Sequence, residues 1–102
     1  MSVVYVTNEN FESEVLSSKK PVLIDFFATW CGPCHMISPV IEEIAIEHSE
    51  YNVVKIDVDK APELAEKFGV VSIPSLFVIK DGKITNSAVG VKPKAQILQM
   101  LE

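Results

Sequence analysis

Apolar positions change their spacing from one part of the chain to the next, and each change marks an element. Residues 3–6 (Val3, Val4, Tyr5, Val6) form a short β-prone run that reads as a strand at a sheet edge. Thr7 or Asn8 is placed to cap a helix with Phe11, Val15 and Leu16 on one face and Glu and Ser elsewhere. The polar stretch 17–21 ends it. From Val22 to Ala28 every position but one is apolar, without alternation, as expected of a central strand covered on both faces. The exception is Asp25. Residues 31–50 carry Ile37, Val40, Ile41, Ile44 and Ala45 three or four apart, with Glu42, Glu43, Glu47 and Glu50 between them. This is the signature of a long amphipathic helix, and Pro39 inside it, lacking an N–H, predicts a bend.

The stretch 53–59 predicts another strand, with Val53, Lys55, Asp57 and Asp59 on one side and Val54, Ile56 and Val58 on the other. Lys55 therefore either faces an edge or partners something buried. Pro62 falls in the first turn of a short helix with Leu64, Ala65 and Phe68 inward and Gly69 as its stop. Residues 70–75 form a loop and 76–79 a strand. Asp81-Gly82 is a strong hairpin signal joining 76–79 to an antiparallel neighbour at 84–89. Pro93 leads a last helix with Ile97, Leu98 and Leu101 inward. The order gives crossovers first and an antiparallel pair afterwards. That is an α/β, three-layer sandwich around a mixed five-stranded sheet, one domain over 1–102.

Composition narrows the function. With 102 residues, 48% apolar and 23% charged, the chain is long enough for a modest core and is neither disordered nor membrane-like. Fourteen acidic residues against nine basic ones leave a net charge of −5, and every basic residue is a lysine. The absence of arginine argues against a nucleic-acid surface. No apolar run is long enough to span a bilayer. Residues 1–10 lack a basic region and turn polar early, so no export signal is expected and a cytoplasmic setting is.

Only two cysteines occur, and they sit three positions apart at the junction of the central strand and the long helix, in Trp30-Cys31-Gly32-Pro33-Cys34. Such a pair can close a small disulfide ring or form half of a metal site. A zinc site would need two more ligands from His35 and His48, and His35, adjoining Cys34, is poorly placed. A transient redox pair fits better. The pentapeptide resembles the active-site signature of the thioredoxin family, and separated pieces of the chain agree: Phe26 and Ala28 before it, Pro39, Ile73-Pro74, Asp81-Gly82 and Val89-Gly90. The likeness covers essentially the whole chain and implies the thioredoxin fold.

The resemblance also implies roles. Cys31 is the exposed nucleophile, its thiolate favoured by the helix end, since a free thiol near pKa ~8.5 supplies little thiolate at pH 7. Cys34, one turn in, resolves the mixed disulfide. Asp25 accepts the proton of Cys34 and Lys55 tunes it, although a buried Asp25–Lys55 salt bridge is the competing reading. Trp30, Gly32, Pro33, Ile73, Pro74 (cis in the family), Gly90 and Val91 form the surface for an extended substrate. Trp30 as a plain core aromatic, and Ile73-Pro74 as a plain turn, are the alternatives. No cofactor or metal is expected on the chain; electrons come from NADPH through a flavin-dependent thioredoxin reductase, and the other partners are disulfide-containing client proteins. A monomer that binds neither nucleic acid nor membrane is expected. Phe27, His35, Ser72 and Ser75 stand where the family commonly has Trp, Lys or Arg, Gly and Thr, which bears on partner choice. Two other classes stay open: a scaffold subunit whose cysteines do not turn over, and an oxidase or isomerase. Gly-Pro between the cysteines resembles the reducing members.

Overall fold

A computed structural model describes residues 3–102; Met1 and Ser2, part of the stretch read for an export signal, lie outside the described residues. Five strands are present: β1 (Val3–Tyr5), β2 (Val22–Phe27), β3 (Asn52–Asp57), β4 (Ser75–Lys80) and β5 (Lys83–Val89). They lie in the order β1-β3-β2-β4-β5. The first three are parallel, and β4 runs antiparallel to both β2 and β5. Three helices, α1 (Gly32–Glu47), α2 (Pro62–Lys67) and α3 (Lys94–Leu101), and a short π-helical segment (Glu12–Leu16) are the other elements among the described residues.

Strand β2 is central, and alternation sends its side chains to two separate cores. Leu23 joins Val53, Leu76 and Val78 beneath Ile37, Ile41 and Ile44 of α1 and Ile97 and Leu101 of α3. Val22, Ile24 and Phe26 join Val54, Ile56 and Ile79 against Phe11, Val15, Ala61 and Leu64. The unbroken apolar run thus serves both layers. Asp25, two positions from Leu23, belongs to the α1 side, and the register sets it beside Lys55 of β3 and Leu76 of β4.

Most element boundaries follow the apolar pattern, and the departures have local causes. Neither Thr7 nor Asn8 caps the first helix. Thr7 donates its N–H to Asn10 Oδ1 (2.8 Å) and accepts from Glu9 N–H (3.3 Å), closing a turn before the helix begins. Helix bonding is then wider than α, with Ser17 N–H reaching the Glu12 carbonyl at 2.9 Å. Phe11 and Val15 are buried, whereas Leu16 is 40% exposed, being one position beyond the i+4 neighbour of Phe11. Helix α1 stops at Glu47 rather than Glu50, and β3 stops at Asp57, where Asp57 Oδ1 accepts Asp59 N–H (2.9 Å) and turns the chain. The hairpin has positive φ at both Asp81 (53°) and Gly82 (76°), the geometry that matches the twist of the flanking strands.

Candidate active site

The parallel strand β2 delivers the chain to the start of α1, and the site is built at that junction. Cys31 N–H bonds back to the Ala28 carbonyl (3.2 Å). Cys31 itself is extended (φ −90°, ψ 113°) and caps α1, its Sγ accepting the Cys34 N–H at 3.2 Å. Pro33 stands within the first turn, where a helix has N–H groups to spare. Cys31 and Cys34 form a disulfide with Cα atoms 5.3 Å apart, inside the usual range. When the pair is reduced, the same N–H and the positive end of α1 favour a thiolate at Cys31. The expectation that Cys31 is the exposed member is corrected: each cysteine is only 4% exposed, because Ala28, Val58 and Ile73 pack around both.

Facing the pair is the loop before β4. The Ile73-Pro74 bond is cis, and the Ile73 carbonyl oxygen lies 3.8 Å from Cys31 Sγ. Among the described residues neither the N–H nor the C=O of Ile73 has a backbone partner, which leaves both to an incoming strand. Gly90 N–H donates to the Pro74 carbonyl (2.8 Å), so the Gly90–Val91 turn is drawn to the same place. Gly32 and Pro33 are exposed. Trp30 is 70% exposed and is therefore no core aromatic. With Val58, Ala65, Val70, Val71 and Ile73 it lines a shallow hollow of about 160 Å³.

Two residues hold this rim in contacts that the sequence pattern does not show. Asp59 accepts the Trp30 indole N–H at 2.8 Å, and its own N–H is tied to Asp57, so the turn after β3 fixes the indole. His35 Nε2 lies 2.7 Å from the Thr29 carbonyl, so its ring donates there and steadies the approach to Cys31. Paired acidic residues two apart at a strand end were the available signal for Asp59; a contact to an indole 29 positions away was not readable.

Asp25 and Lys55 share the α1 face but do not pair. Asp25 is fully buried and neither carboxyl oxygen has a hydrogen-bond partner among the described residues. Burial raises its pKa to about 7, against a smaller lowering by the Lys55 charge. The Lys55 ammonium donates instead to Ser38 Oγ on α1 (2.9 Å) and lies 4.8 Å from the centre of the Phe27 ring. The salt-bridge reading of Asp25 is thus corrected: the lysine acts on it at a distance. Among the described residues no three His, Cys, Asp or Glu side chains are grouped as metal ligands. His48 sits at the far end of α1, beside Glu50 at 3.0 Å, roughly 20 Å along the helix from Cys34. Among the described residues no helix is long and apolar enough to cross a membrane.

Comparison with known proteins agrees with this geometry. The family model described as Thioredoxin matches residues 2–102. A thioredoxin of Mycobacterium tuberculosis is 52% identical over 101 residues, covering 98% of this chain and 87% of the relative. One of Staphylococcus saprophyticus is 46% identical over 103 residues, covering 100% and 97%. A Mycobacterium leprae protein named bifunctional thioredoxin reductase/thioredoxin is 50% identical over 99 residues, which span 96% of this chain and 22% of that protein. A cysteine pair at a helix N-terminus, a fold of this topology and relatives of this identity over nearly the whole chain lead to one conclusion: the chain belongs to the thioredoxin family, the thiol–disulfide oxidoreductases that reduce disulfides in proteins.

Proposed function

We propose that residues 1–102 work as one monomeric redox domain that reduces client disulfides in the cytoplasm, with Cys31 attacking, Cys34 resolving and Asp25 taking the proton. The observation that carries this division is the helix end: Cys31 is the cap and receives the Cys34 N–H, whereas Cys34 lies inside the first turn. Cys31 thiolate attacks one sulfur of the client; the client S–S bond breaks, a mixed disulfide forms and the departing thiolate takes up a proton. Cys34 then loses its proton to Asp25 and attacks Cys31 Sγ, releasing the second client thiol and leaving the Cys31–Cys34 disulfide. Two electrons have passed to the client. A carboxyl with a pKa of about 7 suits proton exchange near neutral pH.

An extended client segment pairs with the free Ile73 peptide groups, over Pro74 and beside Gly32 and Pro33, with Trp30, Gly90 and Val91 as its apolar border. The chain binds no cofactor of its own in this reading. Electrons return from NADPH through a flavin-dependent thioredoxin reductase, a partnership supported by the relative whose name joins the two activities in one chain. Catalytic amounts of the protein, with NADPH and a matching thioredoxin reductase, are expected to sustain reduction of insulin disulfides. Equal rates from the Cys31→Ser/Cys34→Ser double variant, with dithiothreitol as donor as well, would overturn the reading in favour of a scaffold role.

A further inference from the structure

Lys55 is 5% exposed, and a buried ammonium needs partners for its three N–H groups. Strand register puts Asp25 directly beside it, yet the ammonium donates to Ser38 Oγ at 2.9 Å and the Asp25 oxygens take no hydrogen bond among the described residues. The remaining support is the Phe27 ring, 4.8 Å from the ammonium nitrogen, and the more distant Tyr5 ring at 5.9 Å. Other groups facing Lys55 belong to a cavity of about 300 Å³ that it lines with Tyr5, Thr7, Thr29, Asp57 and Lys60. Asp57 follows Lys55 on the same side of β3, and Lys60 brings a like charge. On Asp25 itself, Lys55 is the one charge that acts appreciably, while β4 presents Leu76 beside it and α1 carries the cysteine pair in its disulfide.

We propose that Ser38 is a positioning residue for this centre: by accepting the Lys55 ammonium it keeps that charge off the Asp25 carboxyl, which stays free to exchange a proton. The hydroxyl is what decides where the lysine rests. Without it the ammonium loses its hydrogen bond in a buried setting, and the two unpartnered oxygens of Asp25, its register neighbour, are the replacement acceptors at hand. An opposite charge brought into contact lowers a carboxyl by about one to three pH units. The consequence for catalysis rests on Asp25 being the proton acceptor of Cys34.

The test follows the Asp25 carboxyl by carbon-13 NMR across pH in the oxidised protein, where no thiol titrates nearby. In Ser38→Ala the Asp25 midpoint is expected to fall by about one pH unit or more. Ser38→Thr, which keeps the hydroxyl, should restore the parent midpoint, and Lys55→Met should raise it. An Asp25 midpoint in Ser38→Ala indistinguishable from the parent's overturns the proposal, as does a fall of equal size in Ser38→Thr. Mixed-disulfide resolution by Cys34, measured against pH in the same variants, separates this inference from the role of Asp25. If resolution shifts with the carboxyl, both stand. If the carboxyl shifts and resolution ignores it, Ser38 still positions Lys55 and the proton-acceptor reading of Asp25 fails.

Discussion

Asp25 is the residue whose presence costs the fold most visibly, because in a core the charged form of a carboxyl with no hydrogen-bond partner among the described residues is disfavoured against its protonated form. Its folded pKa of about 7 lies above the ordinary aspartate value of 3.8. The unfolded state therefore releases the proton more readily, and stability falls as pH rises from the unfolded value towards the folded one. A shift of that size corresponds to an upper bound of about 4 kcal/mol near pH 7. Asp25→Asn removes the charge but brings an amide that itself lacks partners, a cost of about 2 kcal/mol at any pH, so the expected gain is about 2 kcal/mol near pH 7 and becomes a loss of about 1 to 2 kcal/mol at pH 4. Urea unfolding of the oxidised proteins across this range checks it. A variant that is less stable than the parent at pH 7, relative to pH 4, would mean that ionised Asp25 is held by Lys55 after all. In the reduced proteins the same substitution should slow resolution by Cys34 while leaving attack by Cys31 intact.

At the scale of elements, the first turn of α1 separates two cysteines that solvent does not. Both are equally covered, so any difference in reactivity must come from the cap: Cys31 Sγ has the Cys34 N–H and the helix end, while Cys34 is enclosed below it. Limited alkylation of the reduced protein at pH 7, read by peptide mapping, should label Cys31 roughly tenfold faster than Cys34. Preferential labelling of Cys34 would reverse the assignment of attacking and resolving thiols. Elements of this kind were legible because their signals are local. Continuous burial marked β2, Asp81-Gly82 marked the hairpin, and the apolar spacing marked α1. The first helix was less so, since Thr7 Oγ1 takes the Glu9 N–H and Thr7 N–H goes to Asn10 Oδ1 in a turn that competes with the cap Thr7 suggested. Nothing in a one-dimensional pattern decides which of two local bonds wins.

The whole molecule assembles the substrate surface from parts far apart in sequence: Cys31 and Ile73 meet across 42 positions, and Gly90 closes on Pro74. That meeting was readable through family likeness, and the topology explains it, because β2 and β4 are antiparallel neighbours whose adjoining ends bring the α1 start and the Ile73 loop together. The supports of the site were not readable. Asp59 on Trp30 and Ser38 on Lys55 are polar contacts between distant elements, and ordinary residue types at ordinary positions give no hint of them. The assembled rim leaves apolar side chains open, with Val71 96% and Val91 43% exposed. If these valines contact an extended polypeptide, losing them removes client binding without touching the sulfur chemistry. Covering about half a valine is worth roughly 1 kcal/mol, so Val71→Ser with Val91→Ser is expected to raise KM for insulin roughly tenfold or more with kcat little changed. Surface changes of this type move stability by no more than about 0.5 kcal/mol, and thermal unfolding verifies that. A small aromatic disulfide such as dithiobis(nitrobenzoate) reaches Cys31 without spanning the rim, so its reduction rate should stay within about twofold of the parent's, a difference of roughly 0.4 kcal/mol. Equal losses on insulin and on the small disulfide would show that the rim acts on Cys31 itself and not on the client chain.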